Sequence, residues 1–177
     1  MELSEVGLKQ AAQLGEYLSQ KKIKAVYCSP LQRAYQTAEA VASRQGLKPQ
    51  PVEDLTDLDF GEWEGMPRLE VKAKYPETYR QWATRPDMVE IPGGESLANV
   101  RKRVLVALDD IIQKDKDSTV ALVTHRVITK VLICALLGLD DSHFWNIEQD
   151  TCGATTFNHN GRIWVMTHHN ESHFIRA

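Results

Sequence analysis

Twice in 177 residues a short apolar run passes without a break into a helical pattern, and this repeat limits the fold more than any other feature. "IKAVYC" leads into "SPLQRAYQTAEAVASRQG", and "TVALVT" leads into "HRVITKVLICALLGL". A continuous apolar run of this length, bounded by polar residues, suits a strand covered on both faces. A strand that feeds directly into a helix belongs to a largely parallel sheet with helices packed against it. In the first unit Ser29 stands where an N-cap is expected, Pro30 suits the first helical position and Gly46 closes the helix. In the second unit Thr119 to Val123 reads as the strand, and Val127 to Leu137, stopped by Gly138, as the helix.

The remaining segments fit the same architecture. Leu8, Ala11, Ala12, Leu14, Gly15 and Leu18 recur at helical spacing behind Ser4, which predicts an amphipathic helix from about residue 5 to 20. "PQPVEDLTDLDFGEWEG" is acidic and irregular. Residues 62–92 read as a helical excursion from the core, with two short helices parted at Pro76 and ended near Pro86. After "IPGGES", Ser96 can cap a long helix whose apolar stripe is Leu97, Val100, Val104, Leu108, Ile111 and Ile112. "GATTFN" and "RIWVMT" flank Asn160-Gly161, a hairpin signal. The expected fold is α/β, a three-layer α/β/α sandwich formed by a single domain over 1–177.

A chain 42% hydrophobic and 25% charged, with formal net charge -3 and no long basic run, gives no support to nucleic-acid binding. It has no apolar stretch long enough to span a membrane and no signal-peptide pattern at its start, so the expected location is the cytoplasm. Cys28, Cys134 and Cys152 are odd in number and widely spaced, unlike a disulfide or zinc framework.

In open α/β sheets ligands bind beyond the carboxyl ends of the strands, which singles out Cys28 to Arg33 and His125 to Arg126. Arg33 falls in the first turn of its helix, where free N–H groups and the dipole favour an anion and a guanidinium fork matches phosphate. A surface salt bridge would equally account for an arginine there. His125 sits where a core side chain is expected, so its ring needs polar partners, whether it is structural or catalytic. The acidic loop offers Asp54, Asp57, Asp59, Glu62 and Glu64 as candidate general acids, or as a solvated surface. Two rival centres are weaker. "CSPLQR" approaches the phosphate loop of cysteine-dependent phosphatases but is one residue short and lacks its glycines, and "HHNESH" has metal-ligand spacing only if it is helical.

"LSEVGLKQAAQL", "YCSPLQRAYQTAEAVA", "LTDLDFGEWEG", "PGGESLANVRKRV" and "VALVTHRVITKVLICALLGL", in this order, resemble the histidine phosphatase superfamily, phosphoglycerate mutase-like branch. The terminal "NESHF" also resembles a family pattern. The resemblance implies phosphoryl chemistry through a phosphohistidine, without metal or other cofactor. It implies that Arg33 and His125 bind the phosphate and that His125 and Asp57 are catalytic, with Asp57 as proton donor where relatives usually carry glutamate. Glu62, Glu95, Ser96 and Arg126 become candidate substrate contacts. The partner it implies is a small phosphorylated metabolite; phosphoserine, phosphoglycerate and α-ribazole phosphate are all open, as is a homodimer. Mutase-type transfer and a catalytically inert phosphate-binding or interaction module are the alternatives. Relatives open with a central strand ending in Arg-His-Gly, whose histidine is the nucleophile. No such motif occurs here, so the resemblance implies an N-terminally truncated domain with that strand absent and activity impaired.

Overall fold

The computed structural model describes residues 1–176. Strands β1 (Ile23–Cys28), β2 (Pro49–Pro51) and β3 (Thr119–Val123) form a parallel sheet in the order β2-β1-β3. Val26 pairs with Pro49 on one side and with Ala121 on the other, and Cys28 with Pro51 and Val123. Because side chains alternate across a strand, β1 feeds two cores. Val26 and Cys28 pack with α1 (Glu5–Leu18) and α2 (Gln32–Ser43) through Leu14, Ala38 and Val41. Ala25 and Tyr27 pack with Leu55 and with Ile111 of α5 (Leu97–Lys114). The largest core joins α5 to α6 (Arg126–Leu136) through Val100, Val104, Ile128 and Val131, so two helices cover each face, as the three-layer reading requires.

Local signals explain most boundaries. The Ser4 side chain accepts from the Gly7 N–H at the start of α1, and Ser96 accepts from Asn99 at the start of α5. The excursion holds α3 (Arg68–Lys74) and α4 (Pro76–Thr84), with Pro76 in the first turn of α4, where a missing N–H costs nothing. Two expectations need correction. Pro49–Pro51 is a short edge strand inside the stretch expected to be irregular, and edge strands tolerate proline. Helix α2 begins at Gln32 behind Leu31, so Ser29 does not cap it, and Pro30 precedes it.

The sheet is not continuous. β4 (Ala154–His159) and β5 (Trp164–Glu171) form a separate antiparallel hairpin, turned at Asn160, whose side chain accepts from the N–H groups of Arg162 and Ile163. Cys152 and Ala154 share a core with Cys28 and Val123, so β4 starts beside the carboxyl end of β3. Between β3 and β4 lies a cavity of about 1720 Å³, lined by Thr119 to His125 on one side and Cys152 to His159 on the other. It extends past the site described next.

Candidate active site

The strand-to-helix junctions of β1 and β3 meet at the mouth of that cavity. Ser29 follows β1, fully buried, with its N–H donating to the Val123 carbonyl at 3.0 Å. Its hydroxyl accepts from the Leu31 N–H at 3.2 Å and lies 2.8 Å from His125 Nε2. His125 is the N-cap position of α6 and only 7% exposed. Its Nδ1 is 3.4 Å from Asp57 Oδ2, and the same oxygen accepts from Arg33 Nη2 at 2.9 Å. The geometry is satisfied if Nδ1 carries the proton toward Asp57 and Nε2 accepts from Ser29. Burial pushes His125 down to about 4, with Asp57 opposing the shift and Arg33 and Arg103 adding to it, so the ring is neutral at pH 7.

The acidic loop does not position itself. Arg103, on α5, binds both Glu95 carboxylate oxygens, each at 2.9 Å, and also donates to the carbonyls of Asp54, Thr56 and Asp57. Glu95 also accepts from the Asp59 N–H at 3.1 Å. Burial alone would raise Glu95, but Arg103 and the Asp59 N–H outweigh it and hold the carboxyl below its ordinary value. The two loops interlock closely at glycines. A Cβ on Gly94 would lie 2.4 Å from the Asp59 carbonyl oxygen, and one on Gly61 would lie 2.3 Å from that of Pro92. Gly61 moreover has φ +47, in the left-handed region that favours glycine.

Of the residues singled out by sequence, Arg33, Asp57 and His125 converge on one point, and Arg126 lines the same cavity as the exposed first residue of α6. The others lie elsewhere. Glu62 accepts from the Tyr75 hydroxyl, outside the cavity lining. Glu95 is committed to Arg103, and Ser96 to capping α5. Sequence reading missed Ser29 as a partner of His125, because it fits an N-cap pattern equally well. It also missed Arg103, whose signal is a charge directly beside the buried stripe position Val104. The cysteine rival fails on environment: Cys28 is fully buried, and burial, with Glu39 adding, pushes its thiol up to about 11. The metal rival loses its helix, because His168, His169 and Glu171 belong to strand β5. Among the described residues no three His, Cys, Asp or Glu side chains are grouped to hold a metal.

The arrangement can hold a tetrahedral anion between a guanidinium, an imidazole and the N-termini of α2 and α6, beside a carboxyl group. No helix among the described residues is long and apolar enough to cross a membrane.

Comparison with known proteins agrees with this chemistry. The family model "Histidine phosphatase superfamily (branch 1)" matches residues 1–172. Phosphoserine phosphatase 1 of Hydrogenobacter thermophilus is 41% identical over 149 residues, covering 84% of this chain and 71% of that protein. A metal-independent phosphoserine phosphatase of Arabidopsis thaliana is 36% identical over 135 residues, covering 74% of this chain and 56% of that protein. Among solved structures, Bacillus stearothermophilus YhfR superposes with a TM-score of 0.93 at 26% identity, over 98% of this chain and 87% of that one. The chain belongs to the histidine phosphatase superfamily, branch 1, and with it to the phosphoric monoester hydrolases.

Proposed function

We propose that this domain hydrolyses small phosphomonoesters without metal, through a phosphohistidine, and that the nucleophilic histidine arrives on a strand seated between β3 and β4. The observation that carries the reading is the convergence of Arg33, Asp57 and His125 at the carboxyl ends of two parallel strands. The cavity between β3 and β4 supports the strand, because an inserted strand would pair with the open edge of β3 and meet the site at its carboxyl end. His159, the last residue of β4, is poorly placed for the role: it lies five residues beyond Ala154, about 16 Å farther along the strand.

In the proposed reaction the histidine nitrogen attacks phosphorus, the bond to the ester oxygen breaks, and Asp57 gives its proton to the leaving alkoxide. Water then attacks the phosphohistidine while Asp57 takes a proton from it, releasing phosphate and restoring the acid. Arg33 and His125 hold the phosphoryl oxygens as charge develops on them. Phosphate binding would compete with Asp57 for Arg33. On this reading residues 1–177 alone bind phosphate but turn it over poorly. Mutase-type transfer ranks lower because it needs a pocket for a second phosphate; an inert module is favoured only in that, among the described residues, no second histidine is bonded into the site.

The test compares the 177-residue chain with a form extended at its amino end by a strand, Arg-His-Gly and a connecting loop. The extended form should release phosphate and trap an acid-labile phosphohistidine, with the shorter chain at least about a thousandfold slower. Equal turnover by both would refute the external nucleophile. Failure of the extended form on every phosphomonoester tried would refute the phosphatase reading.

A further inference from the structure

Ser29 is a buried hydroxyl that the catalytic scheme above does not use. Its oxygen lies 2.8 Å from His125 Nε2, and His125 Nδ1 lies 3.4 Å from Asp57 Oδ2. Serine, histidine and aspartate in that order make the contact chain of a hydrolytic triad. This serine is closed to substrate, because it is fully buried and does not line the cavity. Nor does Asp57 suit the orienting part of a triad aspartate: in the proposed reaction it gives up and retakes a proton, and phosphate competes with it for Arg33. Another group has to hold the ring while Asp57 changes.

Hydrogen-bond counting identifies that group. A hydroxyl carries one proton and two lone pairs. The Leu31 N–H, at 3.2 Å, occupies one lone pair of Ser29, and among the described residues His125 Nε2 is the only other side-chain partner of its oxygen. Were Nε2 protonated, it would fill the second lone pair and leave the hydroxyl proton without an acceptor in the interior, an unfavourable state. The hydroxyl therefore donates to Nε2, and the one proton of the neutral ring sits on Nδ1. The Ser29 N–H, bonded to the Val123 carbonyl at 3.0 Å, fixes the hydroxyl to the end of β3, two residues before His125.

We propose that Ser29 is a positioning residue, whose hydroxyl keeps His125 in the tautomer that turns its single ring N–H toward the phosphate while Asp57 changes protonation. This rests on the phosphate-site reading given above. Arg33 Nη2 and His125 Nδ1 converge on the same Asp57 oxygen, so a phosphoryl oxygen taking its place would accept from both. The opposite tautomer would aim a lone pair at that oxygen and repel it. The triad roles are thereby exchanged: the aspartate moves the proton and the serine orients the imidazole.

Nitrogen-15 NMR of the 177-residue chain at pH 7 without phosphate reads the tautomer, since a ring nitrogen that carries a proton resonates far from one that does not; His125→Asn assigns the signals. The intact chain should show a protonated Nδ1 and a bare Nε2. Asp57→Ala should show the same, because Ser29 suffices, whereas Ser29→Ala combined with Asp57→Ala should give a mixture. A protonated Nε2 in the intact chain, a mixture in Asp57→Ala, or an unchanged tautomer in the double variant overturns the proposal. Ser29→Ala alone should weaken inorganic phosphate at least about fivefold, and Ser29→Thr, which keeps the hydroxyl, should recover most of that loss; unchanged affinity in Ser29→Ala overturns the positioning role. Should the Ser29 variants fail to fold, the tautomers of the intact chain and of Asp57→Ala decide alone. A serine-directed phosphonofluoridate should leave Ser29 unlabelled, and a label there would make it a nucleophile instead. Arg33→Ala should weaken phosphate and leave the tautomer as it is; if phosphate binding is unaltered, the phosphate-site reading fails, independently of Ser29.

Discussion

Replacing Arg103 by alanine removes one side chain that makes five hydrogen bonds, two to Glu95 and three to the carbonyls of Asp54, Thr56 and Asp57. Removing one partner of a buried ion pair costs about 3–5 kcal/mol, mostly because the remaining charge is stranded. The side chains here are 19% and 24% exposed, so water can reach part of Glu95 and the ion-pair loss falls to about 2–3 kcal/mol. The three carbonyls left without donors add about a further kcal/mol where water fails to replace Arg103, giving a total of about 3–4 kcal/mol. That is a large share of the roughly 5–15 kcal/mol that stabilises a domain of ordinary size. Urea denaturation at pH 7 measures it directly, and a double-mutant cycle with Glu95→Gln isolates the pair and should return a coupling of about 1–3 kcal/mol. Since the same bonds fix the backbone that carries Asp57, affinity for inorganic phosphate should fall as well. A loss below about 1 kcal/mol, with phosphate affinity unchanged, would show that the loop holds its shape without Arg103.

Other perturbations follow the same logic. Because His125 is depressed from 6.5 to about 4 in the folded protein, its contribution is fully present above pH 6.5 and lost as pH falls toward 4, a swing of about 3 kcal/mol. His125→Asn should therefore flatten the decline in stability between pH 6.5 and 4, measured as urea midpoints; an equally steep decline would show that other groups cause it. Gly94→Ala places a methyl 2.4 Å from the Asp59 carbonyl and should cost about 1–3 kcal/mol and weaken phosphate binding together, whereas Gly138→Ala, with nothing within 4 Å, pays only for φ +72 and should leave the site intact. If the two alanine variants affected phosphate binding equally, the contact between the loops would not be what positions the site.

The fold was legible wherever one strong local pattern decided each element. The two strand-helix units, the Ser4 and Ser96 caps and the Asn160 turn all appear where periodicity and side-chain chemistry place them. The break between β3 and β4 was not legible, because no local pattern near Val123 or Ala154 marks it. Arg33 and His125 were legible because strand ends and family motifs both indicate them, and Asp57 because a family motif picks it out of the acidic loop. Ser29 and Arg103 were not, because their roles arise from partners far along the chain: 96 residues separate Ser29 from His125, and 46 separate Arg103 from Asp57. Glu95 misled for the same reason, since nothing in its own motif shows that Arg103 already claims it. Pro49–Pro51 became a strand because the edge of β1 offered it partners, against its own low strand propensity.

The account depends on Arg33, Asp57 and His125 forming a phosphate site, and the ring of His125 reports on that most directly. Nitrogen-15 NMR of the histidine rings during a pH titration of the 177-residue chain, with and without inorganic phosphate, follows its protonation. Without phosphate the ring should stay neutral down to about pH 4. With saturating phosphate its pKa should rise by at least about one unit, because a bound dianion stabilises the imidazolium, and Arg33→Ala should weaken the effect. A His125 titration identical with and without saturating phosphate would contradict the account.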